Sequence, residues 1–104
     1  MGKIAYMVVA TLPSAEKAEE YVAWLKDGHV QAVVEGGATV GEVIRLDDEP
    51  VGAPPRVVSR YEFASRGEFD RYVAEVAPRL RAEGLARFGP DRRVGYQRLV
   101  GEVQ

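Results

Sequence analysis

The sequence has no cysteine, one histidine and one tryptophan among its 104 residues. Without cysteine there are no disulfide staples and no thiolate metal sites, and a single histidine leaves too few ligands for a zinc centre. No metal or other cofactor is expected. No apolar run approaches the roughly 18 residues that a membrane-spanning helix requires. The opening MGKIAYMVVATLPSAEK does not read as a secretory leader, because its apolar stretch is short, alternates and runs into acidic helix; a cytoplasmic protein that keeps off membranes is expected.

A strong charge of either sign is also lacking. With 14 basic and 16 acidic side chains, the formal net charge is −2, which argues against general binding to nucleic acid. The charge is uneven, however: residues 1–52 carry 4 basic and 9 acidic groups, and residues 53–104 carry 10 and 7. At 46% hydrophobic and 29% charged, the composition is that of an ordinary folded chain, and its length predicts one domain over residues 1–104.

What is present reads as alternating strands and helices. Lys3 to Thr11 is rich in Val, Ile, Tyr and Ala on both alternating faces, as in a central strand buried on two sides. Ser14 can cap a helix whose first turn holds Glu16, and Ala18, Tyr21, Val22 and Leu25 form one apolar stripe. That helix pauses at Asp27-Gly28, resumes from His29 to Glu35 and closes on Gly36-Gly37. Thr39 to Leu46 and Arg56 to Ala64 read as antiparallel strands joined by the exposed loop DDEPVGAPP. Ser65 with Glu68 forms a capping box before a second stripe of Phe69, Tyr72, Val73 and Val76. Pro78 starts a further helix carrying Leu80, Gly84, Leu85 and Phe88, and Val94 to Val100 is a last strand. The order predicts an α+β fold of the ferredoxin-like βαββαβ kind, with helices on one face of a four-stranded antiparallel sheet.

The other sheet face is then open. Its third-strand residues Val58, Arg60 and Glu62 are mixed in character, and two such faces packed together would form a dimeric α+β barrel enclosing a cavity. RNA recognition by this face is not supported, because VVSRYEFA lacks the glycine-aromatic pattern of an RRM strand. Phosphate-binding glycine motifs, nucleophile elbows and paired-carboxylate spacings are absent. The loop TLPSAEKAEE lacks the arginine cradle of an acylphosphatase, and Asp47-Asp48-Glu49 lacks the alternation of a calcium loop.

The segments YVAWLKDGHVQAVVEGG, SRYEFASRGEFDRYVAEVAP and LRAEGLARFG together resemble an uncharacterised bacterial family of dimeric α/β-barrel proteins, known only as a domain of unknown function. The resemblance spans nearly the whole chain and implies kinship in fold with antibiotic-biosynthesis monooxygenases, EthD-like proteins and muconolactone isomerases. Those relatives work on small molecules in the barrel cavity. EthD-like proteins often carry His-x-Pro near the end of the first helix; here the run is His29-Val30-Gln31, so the proline position is altered.

These observations single out candidates with two readings each. His29 is either a cavity-facing acid or base, or a residue that closes a helix turn with its ring bonded to a carbonyl. Trp24 and the five tyrosines either line an aromatic pocket or pack the core, with Tyr6 and Tyr96 best placed to point into one cavity. Arg60, Glu62, Arg45, Glu42 and Arg98 are either carboxylate anchors and general acids, Arg60 beside His29 being the catalytic candidate, or members of an ion-pair lattice. The functional expectation is a homodimer that binds a small ligand in its cavity. A cofactor-independent monooxygenase, cyclase or isomerase acting on a phenolic or polyketide-like molecule is the alternative, and an ACT-like regulatory module a third.

Overall fold

The structure, a computed structural model, describes residues 2–104. β1 (Ile4–Thr11), β2 (Val40–Arg45), β3 (Arg56–Phe63) and β4 (Gly95–Glu102) form one sheet in the order β2-β3-β1-β4 with every neighbouring pair antiparallel. Between them run α1 (Ala15–Trp24), α2 (Val30–Glu35), α3 (Arg66–Glu75) and α4 (Ala77–Phe88). This is the predicted ferredoxin-like α+β fold, with both central strands contributed by the most apolar segments. β4 runs two residues beyond the sequence expectation, and Leu12 continues β1 outward by donating its N–H to the Pro55 carbonyl at 2.9 Å.

Local signals set the helix starts. The Ser14 hydroxyl accepts the Lys17 N–H at 3.1 Å, and the Ser65 hydroxyl accepts that of Glu68 at 3.2 Å. The Glu68 carboxylate meets Arg71 at 3.3 Å. The pause after α1 is a wide turn over Leu25–His29 in which Gly28 adopts φ 110°, a region that side chains other than glycine rarely enter. This turn kinks the chain between α1 and α2, and α2 packs against β2.

Pairing register decides which side chains share a face. On the helix side, one row across the sheet reads Gly41, Tyr61, Tyr6, Val100; the next reads Val43, Ser59, Val8, Arg98. Opposite, the open face carries Glu42, Arg60, Met7 and Leu99 in one row and Ile44, Val58, Val9 and Gln97 in the next. The helix-side core has two halves. One gathers Ile4, Tyr6, Tyr61, Phe63, Phe69 and Tyr72; the other gathers Ala10, Leu12, Tyr21, Leu25, Val57 and Phe88.

The fit of α2 on β2 depends on Gly41. A Cβ there would stand 2.7 Å from Val30 Cγ1, closer than real Cβ contacts allow, and a tight 3.2 Å from Val34 Cγ2. Gly41→Ala is therefore expected to cost about 1–3 kcal/mol through overpacking. Thermal unfolding should show Tm lower by roughly 5 °C or more. An unchanged or raised Tm would mean that α2 is not seated on this strand.

Candidate functional site

Between the two core halves the helix side of the sheet is short of volume. In the row Val43, Ser59, Val8, Arg98, the only central polar residue is Ser59, 2% exposed, flanked by the larger tyrosines of the adjoining rows. The helices bridge over this depression and leave a cleft. Its floor is Tyr6, Val8, Ser59 and Tyr61 from β1 and β3, with Tyr96 and Arg98 from β4 at one side. Trp24, His29 and Tyr21 close it from α1 and the following turn, and Tyr72, Arg81 and Leu85 from α3 and α4. The cleft encloses about 490 Å³ free of atoms, its open mouth included, with an inner part of about 50 Å³. The inner part has room for roughly three to five waters, at about 10–15 Å³ each.

The turn at Gly28 determines what His29 does. Instead of bonding to a carbonyl, the imidazole lies flat on the Trp24 indole, with ring centroids 4.3 Å apart and planes 28° from parallel. Its Nδ1 is buried and makes no hydrogen bond. Burial lowers the pKa of His29, opposed by the negative charge of Glu83, so the ring is neutral near pH 7.

The tyrosines divide by what their hydroxyls meet. Tyr6 accepts a hydrogen bond from Arg98 Nε at 3.3 Å, and Tyr96 donates to the Phe88 carbonyl at 2.7 Å. The Tyr61 hydroxyl, on a residue 1% exposed, is approached by Ser59 but makes no well-formed hydrogen bond. Burial pushes the Tyr61 and Tyr96 pKa values up to about 12 and raises those of Tyr21 and Tyr72 further. All four are therefore neutral donors at physiological pH.

The structure brings Tyr6, Tyr96, Trp24 and His29 to this one cleft and leaves Arg60 and Glu62 outside it. Arg60 and Glu62 lie on the opposite side of the sheet, where Arg60 pairs with Glu62 at 2.8 Å and with Glu42 at 3.2 Å, and Lys3 stands 3.9 Å from Glu62. Hydrogen bonding to Glu62 holds the Arg60 pKa above its ordinary value. Arg45 also stays out of the cleft, paired with Glu49 at 3.2 Å. The cleft of this chain therefore lies on the helix side of the sheet, opposite the face that carries Arg60 and Glu62. Sequence reasoning missed Ser59 and Arg81. The signal for Ser59 was one small residue in a helix-facing strand otherwise made of Val, Tyr and Phe. Among the described residues, no group of three or more His, Asp or Glu side chains is placed to hold a metal ion, and no helix is long and apolar enough to cross a membrane.

Comparison with solved structures places the fold in known company. An EthD family protein from Bacillus halodurans superposes with a TM-score of 0.73 at 10% identity, covering 98% of this chain and 99% of that one. A dimeric ferredoxin-like protein from an uncultured marine organism gives 0.68 at 17% identity, with 99% and 96% covered. A Deinococcus radiodurans protein assigned to the antibiotic biosynthesis monooxygenases gives 0.66 at 16% identity, with 97% and 92% covered. At such identities the likeness is one of fold, as the resemblance implied. No curated protein matches the sequence. Residues 3–103 match the family described as Domain of unknown function (DUF4286), and the chain belongs to that family.

Proposed function

We propose that this chain is a cytoplasmic, single-domain protein that works as a homodimer joined through its open sheet faces and binds a small aromatic molecule in the cleft between sheet and helices. The observation that carries the ligand reading is a pair of buried polar groups on residues that line the cleft: His29 Nδ1, which has no hydrogen-bond partner, and the Tyr61 hydroxyl, which Ser59 approaches without a well-formed hydrogen bond. Leaving such groups unpaired costs about 1–3 kcal/mol each, and a polar ligand in the cleft would satisfy them. Aromatic walls with a few convergent polar groups are the usual make-up of such sites.

The dimer reading rests on Met7, Val9, Ile44 and Leu99, an apolar band on an otherwise uncovered face. Ile44 and Leu99 are 38% and 40% exposed. Pairing two such faces would remove on the order of 1,000 Å² or more from water, the scale of a specific interface. A dimeric protein of the same fold supports the reading.

A second reading, a cofactor-independent monooxygenase, cyclase or isomerase for phenolic or polyketide-like molecules, is favoured by His29. A neutral imidazole with a free Nδ1 in the cleft wall can take the proton of a phenolic hydroxyl as a general base. Arg98, at the cleft edge, would then stabilise the phenolate.

Phenol tests the ligand reading through the indole N–H resonance of Trp24, the sole tryptophan. Phenol should shift it with a Kd on the order of millimolar, as roughly 0.6 kcal/mol per heavy atom implies, and Ser59→Leu, which fills the floor, should abolish the shift while the fold survives. An indole resonance that does not move would contradict ligand binding here. Light scattering at micromolar concentration should give a mass of about 23 kDa, twice the chain's 11.4 kDa; a mass of 11.4 kDa would end the dimer reading. The His29 environment has its own signature. Because the folded-state pKa lies below the unfolded 6.5, the unfolded chain binds more protons between those values, so stability should fall as pH drops below about 6.5 and level off below the folded value. His29→Phe should flatten Tm against pH over that window, and a slope that persists would locate its cause elsewhere.

A further inference from the structure

We propose that the cleft selects aromatic molecules bearing a carboxylate, the anionic group held at the mouth by Arg98 and Arg81 and the ring lodged among the tyrosines. This rests on the reading of the cleft as a ligand site and adds the class of ligand. The formal charges that line the cleft are those of two guanidiniums, with an imidazole beside them and no Asp or Glu. That is a marked local excess in a chain whose acidic groups outnumber its basic ones, 16 to 14.

Among the described residues both arginines lack a carboxylate partner, as do Arg66, Arg79, Arg87, Arg92 and Arg93, and what sets these two apart is their place on the cleft. Arg45, Arg56, Arg60 and Arg71 each sit within 3.3 Å of a carboxylate. Arg81 and Arg98 form no ion pair with any described residue. Arg98 is positioned from two sides: its Nε donates to the Tyr6 hydroxyl, and its guanidinium carbon lies 5.7 Å from the centroid of the Tyr96 ring. Its two terminal nitrogens make no hydrogen bond to a described residue, which leaves one edge of the planar fork for a carboxylate. Both charges act on the Tyr72 hydroxyl, and that of Arg98 acts also on those of Tyr21 and Tyr96. Glu83 on α4 is the acid that acts on His29, and it is not among the residues lining the cleft.

The inner part alone holds only a few heavy atoms, so a bound ring would lie partly in the open mouth of the cleft, where Arg81 and Arg98 stand. A ring seated on Tyr6 and Tyr61 would place a directly attached carboxylate toward β4, where Arg98 stands beside Val8 in the register. His29 Nδ1 remains available for a second polar substituent on the ring.

The test is titration of the isotope-labelled chain with benzoate, benzamide, benzylamine and phenyl phosphate at pH 7 and low salt, read at the Trp24 indole resonance. Benzoate should bind about tenfold or more tightly than its neutral isostere benzamide, which is roughly 1.4 kcal/mol, and benzylamine should bind most weakly. The preference for benzoate should shrink to less than about threefold in Arg98→Gln and fall by a smaller factor in Arg81→Gln, with folding of each variant checked by its thermal melt. Equal binding of benzoate and benzamide, or a preference that survives in both variants, would overturn the proposal while leaving a ligand cleft intact. Phenyl phosphate binding tenfold better than benzoate would overturn the carboxylate assignment in particular. If no ring compound moves the indole resonance, both this proposal and the ligand reading fail together.

Discussion

Tyr6 is the point at which core and cleft become one object. From the middle of the central strand its ring lies 6.0 Å from Tyr61, 5.4 Å from Phe69 and 6.3 Å from Tyr72, tying β3 and α3 to β1. Each such aromatic pair adds about 0.5–1.5 kcal/mol beyond the burial of its surface. The same side chain presents its hydroxyl to Arg98. Stability and the polar edge of the cleft thus hang on one residue, and the cleft cannot be reshaped without disturbing the packing that holds α3 on the sheet.

The second constraint is a deficit. Ser59 stands between Val43 and Val8 in the register, on a face where its strand neighbours are Val57 and Tyr61. A larger apolar side chain there would merge the two core halves. A serine leaves them separated by a space that the tyrosines, Trp24 and His29 surround without filling. The wide turn at Gly28 makes the other half of the arrangement, because its non-helical backbone sets His29 against Trp24, five residues earlier.

Much of this was legible in the sequence, and the reasons are local. Period-two alternation identified the strands, the Ser14 and Ser65 caps identified two helix starts, and the strand-helix order prescribed the topology. Alternation also showed that Tyr6 and Tyr96 share a face, since β1 and β4 are both short-period elements that the topology makes neighbours. What alternation does not show is which face the helices cover when a strand is apolar on both sides, as β1 is. That ambiguity is why Arg60 and Glu62 were grouped with Tyr6 and Tyr96, whereas the register puts the two pairs on opposite sides of the sheet. Nor can spacing show a cavity, which arises from volume missing at Ser59 once helices from distant segments have closed over it. Of the ion pairs around Arg60, the partly exposed setting limits each to the small stabilisation usual at a surface; in the proposed dimer they would become partly covered and so help to fix the register between copies.

The central claim is that the ligand enters between sheet and helices and not between two sheets. Met7 on the open face and Trp24 in the cleft wall report on the two locations independently. Methyl-labelled methionine and the indole N–H, followed together as an aromatic ligand is added, test the claim most directly. The account predicts that the Trp24 resonance moves in a saturable way while that of the Met7 methyl stays in place; a Met7 methyl that moves while the Trp24 indole does not would contradict it.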